Sequence, residues 1–284
     1  MKQRIYLFLF LLINVLQGYA QKVKEIEPGI LECQYAHEML LDTLDAKSIR
    51  EDLMILRIGK NVSEFFSRYM FYGDSLFNDP KGKAIAIKLT MTAIRTKNFS
   101  NKPGIRTTSE YIYKNYPEGK NSIYGTDNSG ALYMVTESKP NFKWAIIDST
   151  KIICGYTCQL ATTYFRGRNY EAWFTTEIPI SDGPWKLAGL PGLILEAYDT
   201  ENHYHYTCIG ITHTDVSPVC YYNYWEHKYE KIERKKYLKA CYKSMTTSNS
   251  MRTFKARSGI DLGQSSHPGQ PLKFARDFLE KDYH

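Results

Sequence analysis

Residues Cys158–Thr175, CQLATTYFRGRNYEAWFT, hold two runs of β-branched and aromatic residues about a short polar link. Cys158–Phe165 and Tyr170–Thr175 have strand composition, and Arg166-Gly167-Arg168-Asn169 between them is short enough for a hairpin with Gly167 at the bend. The same pattern continues on both sides. Upstream, Tyr111–Tyr113, Ala131–Val135 and Lys143–Ile147 are further β-branched and aromatic runs bounded by Asn, Gly, Asp and Pro. Downstream, His203–His213 follows a turn at Thr200-Glu201-Asn202, and Leu53–Ile58 predicts a strand stopped by Gly59. Successive runs of this kind read as antiparallel strands of one sheet.

Helical signals lie to the sides of these runs. Asn78-Asp79-Pro80 is a turn cluster that opens a helical stretch over Ala84–Arg95. Tyr224–Lys243 has high helix propensity, with Trp225, Tyr229 and Ile232 at helical spacing. Phe274, Phe278 and Leu279 predict a short docked helix near the end. Together these give an α+β fold: one large curved antiparallel β-sheet with a C-terminal helix and lateral helices. No repeat of fixed period occurs.

The amino terminus reads as an export signal. Lys2 and Arg4 precede an apolar run over Ile5–Leu16, and Gly18-Tyr19-Ala20 precede Gln21, which predicts a signal peptide over residues 1–20. That run is shorter than the ~20 residues that span a bilayer, so no transmembrane segment is expected and the mature chain should be soluble. Residues 21–243 form one β-rich domain. Residues 244–284 form a partly flexible extension, because Thr246–Pro271 is rich in Ser, Thr, Gly and Asn with few large apolar residues.

The formal charge of +7, less Lys2 and Arg4, becomes +5, and the basic residues are interspersed with acids, so no nucleic-acid partner is expected. Six cysteines, Cys33, Cys154, Cys158, Cys208, Cys220 and Cys241, follow the signal. In an oxidising compartment these predict one to three disulfides, of unassigned connectivity. Neither a P-loop, H-E-x-x-H, G-x-S-x-G nor G-x-G-x-x-G is present, so no catalytic residue and no cofactor is assigned.

Gly189-Leu190-Pro191-Gly192-Leu193-Ile194 spells the signature of the GLPGLI family. With it stand Gly155-Tyr156 and Cys158, Phe165–Arg168, Ala172–Phe174, Glu177–Pro179 and Gly183–Lys186, and more weakly Met54–Lys60 and Ser63–Phe65. The chain therefore resembles that family of exported Bacteroidota-type proteins of unknown function, up to about Lys243. The resemblance implies an exported, periplasmic or secreted protein. The strand pattern is also similar to the periplasmic lipoprotein-carrier half-barrels, which implies a half-barrel-like sheet holding an acyl chain against a helix. Physically, Leu190-Pro191-Gly192-Leu193 suits a type II turn with positive φ at Gly192, aiming Leu193–Tyr198 into the core.

Four residues near the signature are candidate ligand or anion contacts: Arg166, Arg168, Trp173 and Trp185. The arginines can grip an anion or pair with Glu171, Glu177 or Glu196; the tryptophans can line a groove. His203 and His205 alternate on one strand face, the arrangement that offers two imidazoles to copper or zinc. The leading expectation is a non-enzymatic binder or carrier of a hydrophobic small molecule, lipid or peptide, or of an outer-membrane protein partner. The alternatives are an exported hydrolase with a dispersed site, for which His213 with Asp215 or Asp148 with Glu196 are candidate pairs, and a His-based metal-binding protein.

Overall fold

A computed structural model describes residues 23–40, 42–98, 102–127, 129–246 and 278–283. The signal-peptide expectation, Phe274 and nearly all of Thr246–Pro271 lie outside the described residues. Twelve strands form one sheet in the order β14-β7-β6-β5-β4-β3-β2-β12-β11-β10-β9-β8. They are β2 (Leu31–Leu40), β3 (Ile49–Ile58), β4 (Ser63–Ser67), β5 (Tyr111–Lys114), β6 (Lys120–Thr126), β7 (Leu132–Ser138), β8 (Ala145–Ile153), β9 (Tyr156–Phe165), β10 (Arg168–Thr175), β11 (Leu193–Asp199), β12 (Tyr204–Thr212) and β14 (Glu230–Lys231). All neighbours are antiparallel except β14, which joins β7 in parallel. A separate ribbon pairs β1 (Val23–Glu27) with β13 (Val219–Tyr222).

The connectivity requires the sheet to curl. Ten strand-to-strand steps separate β7 from β8, about 48 Å if the sheet were flat. Only Lys139–Trp144 joins them, and that link reaches at most about 25 Å. The sheet therefore rolls until its ends approach, and it remains open because β8 and β14 do not pair. The predicted large curved sheet is present.

Register sets up the inner face of the roll. Cys33, Leu56, Phe65, Ile112, Ile123 and Val135 lie side by side across β2–β7, an apolar belt in which every side chain is buried. Two residues further along, Ile58 is followed by Ser63, Lys114, Asn121 and Glu137, a polar row at one end of the belt. The opposite face packs Ile55, Phe66, Tyr111 and Tyr113 against Cys220 and Tyr222 of the small ribbon.

Three helices complete the described residues. Helix α1 (Arg68–Phe77) has no clear sequence signal; Ser67 starts it by accepting the Met70 N–H at 3.3 Å. The expected helix over Ala84–Arg95 is α2 (Pro80–Thr96), capped by Asp79, whose carboxylate accepts the Gly82 N–H at 2.6 Å, with Pro80 at its first position. Helix α3 spans Arg234–Thr246 and so begins ten residues later than the expected Tyr224. The aromatic spacing at Trp225 and Tyr229 is absorbed by outer-face packing instead: Trp225 Nε1 donates to Asp74 at 3.0 Å, and Tyr229 meets Tyr124 edge-on. At the carboxyl end, Phe278–Tyr283 docks as bends and turns rather than as the expected short helix.

The hexapeptide turn also differs from expectation. Positive φ falls at Gly189 (94°), not at Gly192, and the Leu193 N–H donates to Ile178 O at 3.1 Å. Gly192 is needed for proximity: a Cβ there would sit 2.0 Å from Thr175 O.

Candidate functional site

A cavity of about 450 Å³ opens on the inner face. Its floor is the apolar belt, with Met54, Phe65, Ile112, Ile123 and Val135, and Tyr204 and Tyr206 come from β12. Tyr237, Leu238 and Cys241 of α3 cover it together with Phe278–Glu280, while the turn carrying Trp185 and Lys186 forms one wall. That turn is closed by Leu187 N–H donating to Pro184 O at 3.0 Å and holds Trp185 at φ 53°. Positive φ is costly for a bulky residue. It places the Trp185 ring against Phe165 and Tyr170 and turns Lys186 toward the carboxyl-terminal segment.

Among the titratable groups that line the cavity are His37, which is buried, and Glu110, which is half-buried. His37 donates from Nδ1 to His205 O at 3.0 Å, and its ring stacks on Tyr206 with centroids 4.1 Å apart. Burial pushes this imidazole down to about 4, only partly opposed by the hydrogen bond. Glu110 accepts from Tyr237 Oη at 2.9 Å, and burial raises its pKa against the pull of Lys186.

An ion cluster closes one end. Glu280 accepts from Arg166 Nη1 at 2.6 Å, Lys186 Nζ at 2.5 Å and Arg234 Nη1 at 2.5 Å. Burial favours its neutral form, but these cations, Lys186 foremost, hold it down at about 2. Glu137 of β7 shares Arg166 (2.7 Å) and Lys186 (2.8 Å), and Asp282 takes Arg234 in a two-pronged bond of 2.6 and 2.7 Å. Arg166 sits on the β9–β10 turn and Glu137 on β7, so this cluster ties together the two ends of the rolled sheet. The backbone of the carboxyl-terminal segment is held as well: Arg168 donates to Phe278 O (2.7 Å), Tyr170 Oη to Leu279 O (2.5 Å), and Lys281 N–H to Arg166 O (2.8 Å).

Of the residues singled out from sequence, Arg166, Arg168 and Trp185 come together here. Arg166 and Gly167, at φ 48° and 86°, form the two-residue hairpin bend. Arg166 and Arg168 both grip acids, though not Glu171, Glu177 or Glu196: Arg168 is buried on Asp199 at 2.5 Å, with Glu201 at 3.2 Å. Trp173 stands apart, with the Lys151 ammonium 4.3 Å from its ring centroid. Leu190, Leu193 and Ile194 of the hexapeptide are core residues and do not line the cavity. Sequence reading missed Lys186, Glu110, Glu137, Arg234 and Glu280, whose only local signal is that Lys186 follows Trp185.

The two candidate metal ligands engage different acids. His205 Nε2 lies 2.9 Å from Glu196 Oε1, and His203 Nδ1 lies 3.6 Å from Glu201. Asp199, Glu201 and His203 hold their ligand atoms within 4.8 Å of one another, but Arg168 and Lys281 already supply cations to those acids. His213 and Asp215 are both exposed, and Glu196 pairs with Lys151 rather than Asp148. All six cysteines are free thiols here, with no disulfide geometry among them. Cys33, Cys154 and Cys208 are within hydrogen-bonding reach, whereas Cys158, Cys220 and Cys241 sit on separate elements.

Comparison with known proteins places a short stretch. Residues 161–196, from β9 through the hexapeptide to β11, match the family described as "Protein of unknown function (Porph_ging)". No curated protein matches the chain. Among solved structures, PNGF-II in space groups P21 and C2 is similar, at 13% identity and TM-scores of 0.47 and 0.48. Those matches cover 76% and 77% of this chain and 34% of the other, so the chain spans about a third of their length. No helix among the described residues is long and apolar enough to cross a membrane.

Proposed function

We propose that this chain is an exported envelope protein, akin to the GLPGLI family it resembles, that binds a largely apolar small molecule or lipid without transforming it. The observation that carries this reading is the cavity of about 450 Å³ on the inner face, floored by Phe65, Ile112, Ile123 and Val135. That volume falls within the roughly 300–1,000 Å³ of small-ligand pockets, which are mostly apolar with a few placed polar groups. Here those groups are His37, Glu110, Lys186 and Arg234. The test is native mass spectrometry of protein purified gently from its own envelope, before and after unfolding. A lipid-sized mass lost on unfolding supports the reading, and a bare protein mass speaks against a retained cargo.

A second reading, binding of a protein partner, rests on α2. Ile87, Met91 and Ile94 recur at helical spacing along it and are 47%, 62% and 58% exposed. Replacing all three with Gln would abolish co-purification of such a partner while leaving the cavity intact.

A further inference from the structure

The cluster at the end of the cavity has the chemistry of a binding site that the chain fills with its own side chain. Arg166, Lys186 and Arg234 come from the β9–β10 turn, the turn before β11, and α3, and they converge on one carboxylate. That carboxylate belongs to Glu280, which enters from a segment of bends and turns that adds no strand or helix to the fold. Lys186, Arg234 and Glu280 all line the apolar cavity. A ligand whose hydrocarbon lay on the Phe65–Ile112–Ile123–Val135 floor would therefore present its head where the Glu280 carboxylate now sits.

Charge balance supports this placement. The three cations face Glu137, Glu280 and Asp282 within salt-bridge distance, and Glu110 stands nearby under Tyr237. Among the groups in ion-pair contact, removing Glu280 leaves Arg166, Lys186 and Arg234 facing Glu137 and Asp282 alone, one cation more than acids at the mouth of an apolar chamber. Buried charge of that kind requires a counter-ion.

We propose that Arg166, Lys186 and Arg234 form a head-group site for a fatty-acid-like carboxylate, and that Glu280 of the carboxyl-terminal segment occupies this site in cis until such a ligand displaces it. This rests on the apolar-ligand reading above and adds to it the class of ligand and the position of its charge. Phe278 and Leu279, which pack partly buried on the core beside Glu280, are the apolar part of the same internal occupant.

The experiment uses dodecanoate and 1-dodecanol, which share a chain and differ in head group, with full-length wild-type protein and Glu280→Gln, each stripped of lipid. Glu280→Gln should bind dodecanoate about tenfold more tightly than wild type does, the effect of one freed charge-assisted contact, while 1-dodecanol binds both proteins equally. In the wild type, dodecanoate but not 1-dodecanol should accelerate trypsin cleavage after Lys281 at least about fivefold. That second measurement decides the matter if Glu280→Gln does not fold. If both compounds bind both proteins alike and cleavage is unchanged, the apolar cavity stands and the carboxylate site is overturned. If neither compound binds either protein, the apolar-ligand reading itself falls, and the head-group site falls with it.

Discussion

His37 makes stability depend on pH in a way that can be isolated. The folded chain holds this imidazole neutral down to about pH 4, because burial disfavours the charged form, whereas the unfolded chain takes up its proton near the ordinary value of 6.5. The folded-state pKa is depressed, so the group's full contribution is present above 6.5 and is lost as pH falls toward 4. Between pH 7 and pH 5 that loss amounts to about 2 kcal/mol, from the different proton uptake of the two states. His37→Asn keeps a donor toward His205 O but cannot titrate. It gives up the stacking on Tyr206, a fixed cost that does not vary with pH. Urea unfolding of both proteins at pH 7 and pH 5 cancels the carboxylates common to them. Wild type should lose about 2 kcal/mol more than the variant over that interval. Parallel losses in the two proteins would refute the account and mean that water or a counter-charge reaches the imidazole.

Four further outcomes follow from the same structure. Glu280, held down at about 2 against an ordinary 4.5, contributes stability above pH 4.5 that is lost as pH falls toward 2. Acid titration of wild type should show a loss of about 3 kcal/mol that Glu280→Gln lacks. Gly192→Ala, whose Cβ would meet Thr175 O at 2.0 Å, should cost at least about 2 kcal/mol in thermal unfolding, while Pro191→Ala at the exposed neighbouring position should cost less than about 1 kcal/mol. Lys186→Met leaves Glu137 and Glu280 short of a cation in a buried site and should lower the urea midpoint by the equivalent of about 3–5 kcal/mol; a midpoint within error of wild type would contradict the cluster geometry. In reduced native protein, a thiol reagent should label Cys154 alone, as the one exposed thiol, and mass spectrometry of Cys154→Ser should show no rapid labelling.

Local pattern made much of the sheet readable. The Arg166-Gly167 bend, the β5, β7 and β8 runs and the long β12 are encoded in short stretches where composition and turn residues agree. The start of α3 was not, because the Trp225 and Tyr229 spacing that suits a helix equally suits rings packed on Asp74 and Tyr124, and only tertiary contact decides between them. Gly192 was misassigned to a φ requirement because the approach of Thr175 O comes from a different strand. The site was half readable. Arg166, Arg168 and Trp185 stand close together in the chain, but Glu137, Arg234 and Glu280 join them from far along it, and no local spacing records that meeting.

The β2–β12 seam has a consequence for how the chain assembles. Nine of the eleven pairings in the large sheet join strands that follow one another in sequence, and only β2–β12 and the short β14–β7 do not. Two meanders, β2 to β7 and β8 to β12, can therefore each form by closures of about 50 residues or fewer, the longest being β4 to β5 across the two helices, whereas the seam, with Tyr206 opposite His37, closes a loop of more than about 160 residues. Such long-range pairing is the slow kind of contact in folding. Formation of the seam is then the step that sets the folding rate. It also gives the chamber its shape, because the floor from β2 to β7 and the wall from β12 exist as one surface only after the two meanders have joined.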